Sequence, residues 1–172
     1  RMAVAGLLEP AYDVGGDCFD YALNDAILDI GIFDPMGHAR SSALMAALCV
    51  GSYRHDRREA QTLDQINVHL DDVVADEFPD RFATGQLARL DLDTGTLSWT
   101  NAGHPLPMLI RAGKVIGELS SDPGLPWGLG FFFRNPTAVP VATEALEPGD
   151  SVLFYTDGVV GAHVPGGGHV GA

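Results

Sequence analysis

The sequence predicts an α+β domain, helices packed on antiparallel sheet. Three observations carry this. Residues 19–23 and 26–33 are apolar-rich arms separated by Asn24-Asp25, the pattern of a hairpin with a polar turn. Two helical patterns follow back to back, over 39–53 and from Thr62 to about Phe78. From Phe82 onward the period shifts to strands joined by short turns, and short turns favour antiparallel pairing.

The second arm of the hairpin, Ala26-Ile27-Leu28-Asp29-Ile30-Gly31-Ile32-Phe33, is nearly continuous in apolar residues. Such a strand is expected to be central and covered on both faces. Ala43, Leu44, Ala46, Ala47, Leu48 and Val50 make the first helix one that is buried on a wide face. Arg54 to Glu59 are charged and read as a solvated connection. Thr62-Leu63-Asp64-Gln65 fits a capping box. Leu63, Ile66, Leu70, Val73 and Val74 then recur at helical spacing, and the helix is expected to end near Phe78-Pro79.

Strands over 82–92 and 96–100 flank the turn Asp93-Thr94-Gly95. Strands over 106–111 and 115–119 flank Ala112-Gly113-Lys114. Residues 120–136, with Pro123, Pro126 and Pro136, read as a loop with little regular structure. Strands resume at 137–142 and 151–156, across the turn Glu147-Pro148-Gly149-Asp150. The stretch Pro165-Gly166-Gly167-Gly168 reads as flexible.

The 172 residues suit one domain with a sizeable core. No run of 18 apolar residues exists, so no helical membrane span is expected in this segment. Arg1-Met2-Ala3-Val4 reads as the middle of a longer protein, not as a signal peptide. A net charge of −13 argues against nucleic acid or an anionic membrane as partner. It serves solubility, or it includes a cluster of carboxylates awaiting cations. Cys18 and Cys49 form neither a metal-ligand spacing nor a disulfide framework. Free thiols in a reducing cytoplasm are the simpler reading.

Three aspartates sit where strands meet glycine turns: Asp17, Asp34 and Asp157. If 19–33 is a hairpin, Asp17 and Asp34 lie at the same end, because antiparallel arms bring those positions together. Carboxylates that close repel unless something positive lies between them. A hard divalent cation, held by carboxylate and backbone carbonyl oxygens, would serve. The glycines would let backbone approach it. Asp-Gly pairs are also among the commonest turn formers, so a purely structural role stays open at each site. Spacing alone names no reaction.

Five motifs follow one another in a recognisable order: Val14-Gly15-Gly16-Asp17-Cys18-Phe19-Asp20-Tyr21, Asp34-Pro35-Met36-Gly37-His38-Ala39, Asn101-Ala102-Gly103-His104-Pro105, Leu146-Glu147-Pro148-Gly149-Asp150 and Tyr155-Thr156-Asp157-Gly158-Val159. In them the chain resembles the bacterial SpoIIE-type phosphatase domain, a branch of the metal-dependent PP2C serine/threonine phosphatases. The resemblance spans nearly the whole chain. It implies an αββα sandwich, two antiparallel sheets face to face and flanked by helices, with the second helix pair incomplete in this chain. It implies two Mn²⁺ or Mg²⁺ ions held by Asp17, Asp34, the Pro35 carbonyl and Asp157, with Asp17 bridging. Asp20 and His38 are implied to support these ligands, and His104, in its Gly-His-Pro turn, is expected to be structural, with a role near substrate as the alternative. The implied chemistry is hydrolysis of phosphoserine or phosphothreonine by an activated water, without an enzyme nucleophile.

The resemblance also implies a phosphorylated STAS-domain regulatory protein, an anti-anti-sigma factor, as substrate. Upstream sensor domains and dimerisation through helices near the domain's start are further family traits. The chain departs from the family at Pro35, where a small residue is usual, at Ala39, where glycine is frequent, and at Gly161, where an acid is usual. A late aspartate ligand of the family has no counterpart before residue 172. Residues 1–172 are therefore expected to be a single PP2C-like domain from a longer multidomain protein, truncated at its C-terminal end. A catalytically impaired pseudophosphatase, binding a phosphoprotein without turnover, is the alternative.

Overall fold

The hairpin forms as its alternation requires: β1 (Cys18–Asn24) and β2 (Ile27–Pro35) pair antiparallel, from Cys18 opposite Phe33 to Asn24 opposite Ile27. The structure is a computed structural model, and it describes residues 2–9, 15–37, 40–122, 124–130 and 139–161. The turn is closed by Asp25 at φ 52°. Two helices follow, α1 (Arg40–Arg58) and α2 (Leu63–Glu77). α2 starts where the capping box places it, and Gln65 Oε1 accepts a hydrogen bond from the Thr62 N–H at 2.9 Å. Its C-cap is Phe78, just before Pro79.

The remaining elements are β3 (Ala83–Asp91), β4 (Thr96–Ala102), β5 (Met108–Arg111), β6 (Lys114–Glu118), β7 (Ala142–Ala145), β8 (Ser151–Leu153) and the short α3 (Asp157–Gly161). They build two sheets, one in the order β1-β2-β3-β4-β7 and one in the order β6-β5-β8. Every strand pairing is antiparallel.

The two faces of the larger sheet bury different sets, because side chains alternate along each strand. Phe33, Leu87 and Ala102 face the helices and pack with Met45, Cys49, Tyr53, Ile66, Leu70 and Val74. Ala88, Leu97 and Trp99 face the other way and pack with Leu109 and Leu119 at the smaller sheet. Helices, sheet and sheet thus stack in layers, an α+β sandwich of two antiparallel sheets. Among the described residues α3 is the only helix besides α1 and α2.

Four expectations need correction. Arg54 to Arg58 continue α1 rather than leaving it. Their surroundings explain this: Arg54 donates to Asp20 on β1 at 2.6 Å, and Arg57 lies 3.5 Å from the same carboxylate. The strand expected at 137–142 is displaced to β7, while 139–141 are not strand and 137–138 lie outside the described residues. Pro140 has no N–H to give a ladder. The strand expected at 151–156 stops at Leu153. Within the expected loop 120–136, Trp127 is wholly buried and pairs with Ala83 through two backbone hydrogen bonds, at 2.8 and 3.0 Å. Pro123, Pro136 and the glycine-rich stretch 165–168 lie outside the described residues.

Cys18 and Cys49 are free thiols. Among the described residues no helix is long and apolar enough to cross a membrane.

Candidate metal centre

One step beyond the Cys18–Phe33 pair, the hairpin register sets Asp17 across from Asp34. The strands can close here because residue 16 is glycine. A Cβ on Gly16 would lie 3.0 Å from Ser42 Cβ and 3.3 Å from the carbonyl oxygens of Pro35 and Gly37. On the other side of β2, Thr84 of β3 is the register partner of Asp34. The chain leaves β4 through Gly103, whose φ of +66° suits glycine. His104 follows, held by Asn101 in both directions: its N–H donates to Asn101 Oδ1 at 2.7 Å, and Asn101 Nδ2 donates to its carbonyl at 2.8 Å. Asp157 arrives from the smaller sheet, at the first position of α3.

These pieces line one open cleft of about 690 Å³, shared by Asp17, Asp34, Thr84, His104 and Asp157, with Met36, Gly37 and Phe82 at its side. Among the described residues that line it, none is Lys or Arg. The consequence appears in the protonation of Asp34, whose pKa rises from 3.8 to about 7. Burial is the largest cause, followed by the charges of Asp17 and Asp157 and a hydrogen bond with Asp17; a hydrogen bond with Thr84 opposes the rise. The acids therefore crowd one another in the absence of a cation.

The neighbouring groups follow the same field. Burial lowers the His104 pKa, against the opposing pull of the Tyr155 carbonyl and of the Asp17 and Asp157 charges. Cys18 is raised to about 12, by burial first and then by Asp17, Asp20 and Asp34, which keeps it a thiol and removes it as a nucleophile. Thr84 Oγ1 lies 3.0 Å from His104 Nδ1. Its one hydroxyl hydrogen has two acceptors to choose between, Nδ1 and the Asp34 carboxyl.

The donor set consists of hard oxygens without a counter-charge, which suits Mg²⁺ or Mn²⁺. Among the described residues, however, no three His, Cys, Asp or Glu side chains close on a single ion position. The acids share a cleft without forming a ready cage.

Asp17, Asp34 and Asp157 are thus brought together. Pro35 is buried, its carbonyl beside Gly16, and it is not part of the cleft lining. Asp20 is removed from the cleft: it faces α1, where Arg54 and Arg57 hold it, so its expected support of the ligands is not seen. His38 and Ala39 lie outside the described residues. Asp150 and Glu147 serve their turn, with Arg111 donating to Asp150 through two nitrogens at 2.7 Å each. His104, expected to be structural, lines the cleft wall. Thr84 was not singled out from sequence; its place in register with Asp34 was the available signal.

Comparisons with known proteins bear on the fold. The family model "Stage II sporulation protein E (SpoIIE)" matches residues 24–172. Protein IcfG of Synechocystis sp. is 23% identical over 194 residues, covering 96% of this chain and 30% of IcfG, so the chain spans less than a third of that relative. The crystal structure of the RsbU and RsbW domains of Rv1364c from Mycobacterium tuberculosis is similar, with a TM-score of 0.74, 26% identity, and coverage of 88% of this chain and 41% of that one. The SiaA-PP2C domain of Pseudomonas aeruginosa matches with a TM-score of 0.74 and 21% identity over 92% of this chain and 63% of that one. The chain belongs to the SpoIIE family and carries its PP2C-like phosphatase fold.

Proposed function

We propose that this domain hydrolyses phosphoserine or phosphothreonine on a regulatory protein, using divalent ions held by Asp17, Asp34 and Asp157. The observation that carries the reading is the convergence of these three carboxylates, two from the open end of the hairpin and one from the start of α3, on a cleft whose described lining includes no basic side chain. Mg²⁺ or Mn²⁺ there would supply Lewis acidity toward a phosphate ester and a water. The chain's own residues do the rest. Asp17 and Asp34 present oxygens from the end of the hairpin, Asp157 from the start of α3, and the Pro35 carbonyl is a further candidate ligand. Cys18 takes no part as a nucleophile.

Family membership supports a partner-switching regulator as the substrate, and we assign the finer identity, a phosphorylated STAS-domain anti-anti-sigma factor, to this proposal. The same applies to the architecture: one phosphatase domain over 1–172 within a longer cytoplasmic protein, with upstream sensor domains and a dimer. Hydrolysis of para-nitrophenyl phosphate and of a phosphoserine STAS protein by the full-length protein, with added Mn²⁺, tests the reading. Turnover that disappears in Asp34→Ala is expected. No turnover, or full turnover in that variant, would overturn it.

One observation favours a second reading, a pseudophosphatase that binds a phosphoprotein without turnover. It is that no three candidate ligands among the described residues close on one ion. Tight binding of the phosphorylated partner with no phosphate release would decide for it.

A further inference from the structure

His104 joins the two walls of the cleft. One ring nitrogen, Nδ1, lies 3.0 Å from Thr84 Oγ1, on the strand position paired with Asp34. The other, Nε2, lies 2.9 Å from the carbonyl oxygen of Tyr155, two residues before Asp157. A carbonyl only accepts, so Nε2 carries the hydrogen and donates it, and in the neutral ring Nδ1 is left as an acceptor facing the Thr84 hydroxyl, whose hydrogen it shares with the Asp34 carboxyl. The residue is only 5% exposed. Its backbone is fixed by the reciprocal Asn101 bonds, and the next residue is fixed by Gln86 Nε2 donating to the Pro105 carbonyl at 2.9 Å. A rigid turn on the larger sheet therefore grips the segment that delivers the acid of the smaller sheet.

We propose that His104 is a positioning residue that sets the distance between Asp34 on β2 and Asp157 at the start of α3 by bridging Thr84 and the Tyr155 carbonyl. This rests on the reading of the three aspartates as ion ligands. A shift of the 155–157 segment against β2 changes the span the ions must bridge, so cutting the bridge lowers ion affinity before it lowers fold stability. A histidine that merely filled core space would do the reverse.

Two substitutions separate the ring's two ends. His104→Gln keeps an N–H near the Nε2 position and hence the grip on Tyr155. His104→Asn reaches only as far as Nδ1 and loses that grip. Mn²⁺ binding to the full-length protein is read by calorimetry, with melting of the chelator-treated protein alongside. Loss of an outer support of a metal ligand weakens affinity roughly 10- to 100-fold, so that loss is expected for His104→Asn, with His104→Gln close to the parent and similar melting in both. Asp157→Asn is expected to weaken Mn²⁺ at least as much, and adding His104→Asn to it to cause little further loss.

Equal affinity in His104→Asn and the parent, or equal losses in the two His104 variants, would overturn the bridge while leaving the Asp157 reading intact. Unchanged Mn²⁺ binding in Asp157→Asn would overturn both. Should His104→Asn fail to fold, Thr84→Val cuts the other end of the bridge without changing side-chain size. An affinity loss in Thr84→Val is then expected, and an unchanged affinity would count against the proposal.

Discussion

Asp34 faces Asp17 across the open end of the hairpin, one step past the Cys18–Phe33 pair, and the two carboxyls share a hydrogen bond. The pair is made by strand parity: one residue more or fewer in the Asn24 turn would move one acid to the helix face.

In the ion-free protein this crowding has a pH signature. Asp34 titrates near 7 in the fold against 3.8 ordinarily, so the protonated form favours the folded state. The stability it contributes is complete below 3.8, declines as pH rises, and is lost through about 7. Urea unfolding of chelator-treated protein is expected to show falling midpoints across that window. Asp34→Asn, which cannot ionise, should flatten this part of the profile.

The opposite sign holds at the turn before β8. Arg111 and a backbone N–H bond to Asp150 hold the latter's pKa down, from 3.8 to about 2. Its stabilising contribution is present above 3.8 and fades as pH falls through about 2. Asp150→Asn should therefore lower the melting temperature at neutral pH and have little effect in strong acid, as read by circular dichroism.

Asp20 is a stability residue in this fold. Asp20→Asn would strip Arg57, whose side chain is 7% exposed, of its carboxylate, with its Nε and Nη1 already unpartnered. Arg57 would keep the face of the Tyr53 ring, 5.4 Å away, but lose its counter-charge, at a cost of about 1–3 kcal/mol. Denaturant unfolding should show a loss of that order, while Mn²⁺ affinity at the cleft stays near the parent value.

Trp127 ties the segment after β6 to the helical layer. Its Nε1 donates to Asn67 Oδ1 at 2.9 Å, and its ring packs on Phe33 with centroids 5.7 Å apart. Trp127→Phe keeps most of the packing and leaves Asn67 with the 3.5 Å bond from Thr100. A loss of about 1 kcal/mol is expected from equilibrium unfolding, the usual net contribution of one hydrogen bond.

What could be read in the sequence was local or set by parity. The α2 start was legible because Thr62 and Gln65 carry their own capping chemistry three residues apart. The meeting of Asp17 and Asp34 was legible because a hairpin fixes it. Asp157 was different: its glycine turn marked it as a candidate, but its approach to the other two depends on how one sheet stacks on another, and only the resemblance grouped it with them. The end of α1 was misread because its stabilising partner, Asp20, is 34 positions away from Arg54. His104 was undervalued for the same reason. Its ring partners lie 20 and 51 residues distant, and nothing in the turn Asn101-Ala102-Gly103-His104-Pro105 reveals them.

The central claim is that these three aspartates gather divalent ions in one cleft. Anomalous diffraction from crystals of the protein soaked in Mn²⁺ tests it most directly. Manganese peaks within ligand distance of Asp17, Asp34 and Asp157 are predicted. A cleft without a peak, at Mn²⁺ concentrations that support turnover, would contradict it.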